Sequence, residues 1–143
     1  MLHMKITTTH SKIEHSTILK SLIKERLNKD IIRYLESITQ IGNRLNVPVY
    51  AVGGFVRDLI LNVPNKDIDI VVEGEGVPFA VCLAELFGGK VTSHEKFGTS
   101  VVILSNGDRI DVATARTEHY KHPAALPTVK RGSIKSDLFR RDF

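Results

Sequence analysis

Apolar residues recur at helical spacing from about residue 29 to 45, where Ile31, Ile32, Leu35, Ile38, Ile41 and Leu45 share one stripe. Asn28 stands before that stripe as its N-cap. A shorter amphipathic helix is predicted over residues 18–27, behind a leader (residues 1 to about 15) with no periodic pattern. From Val47 onward the pattern changes. Residues 47–52 read as a buried strand, Gly53-Gly54 as a turn, and residues 55–61 as a short helix ended by Asn62-Val63-Pro64-Asn65. Lys66 then leads into a strand in which Asp67 and Asp69 alternate with Ile68 and Ile70. The Glu73-Gly74-Glu75-Gly76 turn delivers a helix over residues 78–87, with Pro78 in its first turn and Gly88-Gly89 as its stop. Two strands, 90–93 and 99–104, flank HEKFG, and Asn106-Gly107 marks a hairpin turn into a strand over 109–113. Alternation sets Arg109 and Asp111 on one face of that strand, Ile110 and Val112 on the other. Residues 116–133 read as a loop holding Pro123 and Pro127, and a last helical turn begins near Ser136, whose hydroxyl is its expected cap.

These elements predict an α+β fold: a mixed, mostly antiparallel sheet of about five strands with helices on one side. At 143 residues the chain supports one real core. No apolar run approaches the ~20 residues that span a bilayer, and the N-terminus has no secretory apolar segment. Cys82 is the single cysteine, so no internal disulfide exists; among Phe79, Leu83 and Leu86 it reads as a small buried hydrophobe. A cytoplasmic protein without membrane contact is expected. Twenty Lys and Arg against sixteen Asp and Glu give a net charge of +4, which suits a polyanionic partner. Lys130, Arg131, Lys135, Arg140 and Arg141 crowd the C-terminal end.

The candidate chemistry lies between Tyr50 and Val72. Gly53 and Gly54 let a phosphate approach backbone N–H groups at a helix N-terminus, and Arg57 follows one turn later with a permanently charged fork. Asp67 and Asp69 sit two apart, so both carboxylates point one way and repel unless a cation joins them. Hard carboxylate oxygens beside a phosphate cradle suit Mg²⁺, and no Cys/His cluster has zinc spacing; His10, Glu14 and His15 are wrongly spaced for it. Hairpin pairing is expected to bring Asp111 beside the first two acids, as general base or third carboxylate of a triad holding two ions. Neither GxxxxGK[ST] nor GxGxxG occurs, and DIDIVVEGE lacks EF-hand spacing.

GGFVRDLIL, NKDIDIVVEG, FGTSVVIL, RIDVATARTEHY, HPAALPTV and DLFRRDF, in that order, resemble the head domain of class II tRNA nucleotidyltransferases and bacterial poly(A) polymerases. These belong to the polymerase-beta-like nucleotidyltransferase superfamily. The resemblance covers residues 47–143; GEGVPFA, GGKV, HEKFG and HPAALP are similar to long bacterial members with further domains ahead of this head. It implies that residues 1–46 are leading helices and a linker from an upstream region. It also implies addition of CMP or AMP, from CTP or ATP, to the tRNA 3′ end with release of pyrophosphate. Asp67 and Asp69 match the metal-binding pair, Gly53, Gly54 and Arg57 the triphosphate site, and Arg140, Arg141 and Asp142 the block that holds the incoming nucleotide. Asp111 matches an acidic position on the hairpin strand, and Arg116, with Lys66, falls near the site. The family's neck, body and tail do not follow DLFRRDF. The expectation is a head cut before its neck, nearly inactive alone, whose exposed apolar residues mark a dimer contact or a missing domain. A poly(A) polymerase head and a non-catalytic nucleotide- or RNA-binding module remain the alternatives.

Overall fold

The computed structural model describes residues 4–5, 13–119, 123–124 and 128–139. Helix α1 (Ile13–Arg26) begins earlier than the sequence pattern suggests, so part of the expected leader is helical. Helix α2 (Lys29–Leu45) follows the apolar stripe: Ile31, Tyr34, Leu35, Ile38 and Ile41 are buried along one face. Asn28 caps it as expected, its side chain accepting from the Ile31 N–H at 2.9 Å. Asn46, in the left-handed region at φ 53°, ends it. Strand β2 (Val49–Ala51) runs into helix α3 (Gly53–Leu61), which starts at the first glycine of the pair rather than at Phe55. Arg26 reaches across from α1 and donates to the Leu59 and Ile60 carbonyls at the end of α3, at 2.9 and 2.7 Å.

Strand β3 (Ile68–Val72) leads to α4 (Gly76–Phe87), then β4 (Lys90–His94), a 3₁₀ turn (Glu95–Phe97), β5 (Thr99–Ile103) and β6 (Arg109–Thr114). With β1 (Met4–Lys5) added at one edge, the sheet order is β1-β2-β3-β6-β5-β4. All neighbours are antiparallel except β3 and β6, which run parallel because α4 and the β4–β5 pair intervene between them. The expected mixed, mostly antiparallel sheet is present; the two-residue β1 brings it to six strands.

One face of the sheet carries Val49, Ala51, Ile68, Ile70, Val72, Ile110 and Val112, packed under α2, α3 and α4 as the main core. Cys82 packs at the edge of that core, half-buried rather than fully enclosed. On the opposite face Tyr50, Val52, Val71 and Ala115 meet Leu138 of a short helix, α5 (Ile134–Leu138). Ser133, not Ser136, caps α5: the Ser136 N–H donates to the Ser133 hydroxyl. Between β6 and α5 the sequence pattern implies a loop, yet β7 (Arg116–His119) and β8 (Thr128–Arg131) pair antiparallel there. Their few polar residues give no apolar alternation to betray them. The Asn-Gly turn is where expected, and Tyr34 pins it to α2: its hydroxyl donates to Asp108 Oδ2 at 2.9 Å and accepts from Asn106 at 2.9 Å.

The start of α4 leaves no room above β6. A Cβ on Gly76 would stand 2.9 Å from Thr114 Oγ1 and 3.0 Å from the Thr114 backbone nitrogen, while the Gly76 N–H donates to that hydroxyl at 3.0 Å. Gly76→Ala therefore forces α4 off the sheet, with an expected loss of about 1–3 kcal/mol in urea unfolding. Wild-type stability in that variant would show that the contact yields freely.

Candidate active site

The carboxylates come together by a route other than the expected hairpin. β3 and β6 are parallel neighbours whose register sets Asp69 opposite Asp111, and both residues lie on the face away from α2 and α4. Burial of Ile68 and Ile70 from β3 and of Ile110 and Val112 from β6 in the same core fixes this register, since a one-residue slip would turn the apolar residues of the moving strand out of it. Asp67 lies just before β3 rather than inside it, is exposed, and donates its N–H to Asn65 Oδ1 at 2.8 Å. Asp69 is half-buried beside the Gly-Gly turn.

The turn explains its glycines. Gly53 has φ +65°, and a Cβ there would lie 3.2 Å from Asp69 Oδ2. A Cβ on Gly54 would meet Arg57 Nη2 at 3.4 Å, so the far end of that guanidinium lies over the turn. The first turn of α3 carries no acidic residue of its own, and the Asp69 carboxylate lies beside its positive end. Arg57 is half-exposed, with Nε bonded to Asp58 Oδ1 at 2.8 Å. That bond holds the Arg57 pKa above its ordinary value and the Asp58 carboxyl below its own.

Arg109 donates to both oxygens of Asp111, Nε at 3.0–3.1 Å and Nη2 at 3.0 Å. This fork raises the Arg109 pKa, with smaller contributions from the charges of Asp67 and Asp69. Among the described residues no three His, Cys, Asp or Glu side chains gather as metal ligands, and Asp111 is bonded by Arg109. Asp67 and Asp69 still offer hard oxygens on neighbouring positions, a donor chemistry that fits a divalent cation such as Mg²⁺. A depression of about 270 Å³ lined by Val52, Asp69, Val101 and Asp111 lies at this place. A larger cleft, about 430 Å³, lies elsewhere, between the start of α4 and the β7–β8 pair. Arg116 lines that second cleft, its backbone N–H bonded to the fully buried Asp137, while Lys66 is exposed near the start of β3. Arg140, Arg141 and Asp142 lie outside the described residues.

Residues 49–143 match the family described as the poly A polymerase head domain. The chain belongs to this family. It is 49% identical over 122 residues to an A-adding tRNA nucleotidyltransferase of Geobacter sulfurreducens, covering 85% of this chain and 14% of that protein. It is 37% identical over 134 residues to the A-adding tRNA nucleotidyltransferase of Halalkalibacterium halodurans, covering 94% of this chain and 31% of that protein. An apo structure of a CCA-adding enzyme superposes with a TM-score of 0.80 at 47% identity, over 87% of this chain and 30% of that one. The chain thus spans about a third or less of the proteins it resembles. No helix among the described residues is long and apolar enough to cross a membrane.

Within this head domain, sequence reasoning passed over Asp58 and Asn65. Asp58 is buried yet charged, held by Arg57 and by the Asn65 amide, Nδ2 to Oδ2 at 2.8 Å. An acid directly after Arg57 was the available signal. Its pKa is depressed in the fold, so its stabilisation is complete above the unfolded value of about 3.9 and fades as pH falls toward the lower folded value. The stability gap between wild type and Asp58→Asn should therefore narrow on going from pH 6 to pH 3 in urea titrations. A gap that widens in acid would contradict the pairing.

Proposed function

We propose that this chain is the catalytic head of a tRNA nucleotidyltransferase, adding CMP and/or AMP from CTP or ATP to the tRNA 3′ end with release of pyrophosphate. One observation carries the reading: the Gly53-Gly54 turn, with Arg57 Nη2 over it, lies against Asp69, whose register partner is Asp111. An anion cradle in contact with a carboxylate pair is what transfer of a nucleotidyl group demands. The names of the relatives favour tRNA as acceptor, and A-adding relatives favour ATP among the donors.

In this reading Gly53, Gly54 and the start of α3 receive the triphosphate on backbone N–H groups, and Arg57 neutralises it from the side. Asp67 and Asp69 would hold Mg²⁺, which would supply charge neutralisation at the phosphate. Asp111 stands opposite Asp69 to take a proton from the incoming 3′ hydroxyl, its position set by Arg109. α5 lays Leu138 on the face that carries Val71, two residues along β3 from Asp69, and the chain proceeds from there to Arg140, Arg141 and Asp142, assigned to the incoming nucleotide. Lys66 and Arg116 are near-site cations. Residues 1–46 serve as leading helices, residues 47–143 as the head, and neck, body and tail domains complete the protein in the cytoplasm. The head by itself is nearly inactive.

A poly(A) polymerase head is the second reading, favoured by the family's description. The native full-length gene product, given tRNAs ending before CCA, after one C and after both, should add one to three defined nucleotides. Asp69→Ala should lower that rate by at least about 10²–10³-fold while tRNA binding holds. Long A tails on any RNA would establish the second reading, and retained turnover in Asp69→Ala would refute the metal assignment.

A further inference from the structure

Asp58 and Asn65 close an unbroken path between two parts of the site that are ten residues apart in sequence. Arg57 Nε donates to Asp58 Oδ1, Asn65 Nδ2 donates to Asp58 Oδ2, and the Asp67 N–H donates to Asn65 Oδ1, each at 2.8 Å. Each Asp58 oxygen serves one arm. Asn65 uses both ends of its amide, so a flipped amide would break two bonds at once. Asp58 is buried, where a bonded carboxylate holds its partners more firmly than one exposed to water. Because Nε is engaged, the Nη end of Arg57 is the part presented over Gly54.

We propose that Asp58 and Asn65 are positioning residues: one buried carboxylate and one amide set the phosphate-binding Arg57 and the metal-binding Asp67 against each other. The inference rests on the function proposed above and adds two residues that touch neither nucleotide nor metal. Asn65 acts on the Asp67 arm alone. Asp58 acts on both arms, directly on Arg57 and through Asn65 on Asp67.

The test measures binding in the full-length native protein without tRNA: Mn²⁺ affinity from the electron paramagnetic resonance of the free ion, and ATP affinity by equilibrium dialysis without metal. Asn65→Ala should weaken Mn²⁺ about tenfold and leave ATP within about twofold. Asp58→Asn should weaken both about tenfold. Asn65→Asp should be worse for Mn²⁺ than Asn65→Ala, because it sets a second carboxylate against Asp58. Combining Asp58→Asn with Asn65→Asp exchanges donor and acceptor along the same path. Mn²⁺ affinity should then recover to within about threefold of wild type, while ATP stays weak because a neutral amide oxygen grips a guanidinium poorly. Parallel loss of both affinities in Asn65→Ala, tracking a fall in melting temperature, would reduce the pair to ordinary structural support and overturn the proposal. So would wild-type affinities in every variant. Asn65 is on a half-exposed loop, so its variants decide the matter even where Asp58→Asn fails to fold. Nucleotide addition by the wild type, assayed beside these, tests the function itself separately.

Discussion

Five residue pairs join β3 to β6 in parallel, Ile68 with Ile110 through Val72 with Thr114, and the proposed chemistry depends on that register. Asp69 and Asp111 are opposed in the middle of two strands whose other faces are closed off by the helices. Like charges at opposed positions repel, and a solvated pair of strands would relieve the repulsion by slipping. Here a slip of β3 would bring Ile68 and Ile70 out of the core, each worth about 1.5–3 kcal/mol of burial. Packing on one face thus maintains an electrostatic arrangement on the other that would not persist alone.

The guanidinium groups complete this arrangement. Arg57 and Arg109 each bond the nearest acid, Asp58 and Asp111, and each also experiences the charge of Asp69. Asp69 therefore lies in the field of two cations fixed by their own hydrogen bonds. Charges held in place before the substrate arrives need no reorganisation during the reaction, which is the usual source of electrostatic advantage in a site. The Gly-Gly turn contributes by what it lacks, since a side chain at Gly53 would press on Asp69 and demand an unfavourable φ.

Much of this was legible in the chain itself. IDIVV and RIDVA announce half-buried strands by alternation, and Gly-Gly, Arg57 and the two aspartates announce their chemistry by proximity in sequence. What alternation does not carry is partnership. Asp111 reaches Asp69 through a parallel crossover spanning α4, β4 and β5, a non-local pairing that hairpin logic misassigns. The β7–β8 pair escaped because polar strands with prolines between them look like loop, and the α5 cap was misplaced because Ser133 and Ser136 are equally plausible caps. Asp58 escaped for a different reason. A helical acid next to an arginine reads as a solvated side chain until burial shows that it is enclosed.

The placement of these acids also separates two tasks that a nucleotidyl transfer must perform. Holding phosphate and metal needs charge at fixed distances, which a sheet with a locked register supplies well. Choosing between cytosine and adenine needs paired donors and acceptors that the wrong base would leave unsatisfied. The depression around Asp69 and Asp111 is lined on their face of the sheet by Val52, Thr99, Val101 and Ala113, whereas Ile70, Ser100 and Val112 are buried on the other face. Such a surface has few side-chain donors or acceptors with which to distinguish one base from another. In the proposed enzyme the head would therefore supply the chemistry common to every addition, and base choice would fall to groups that meet the nucleotide from outside this sheet.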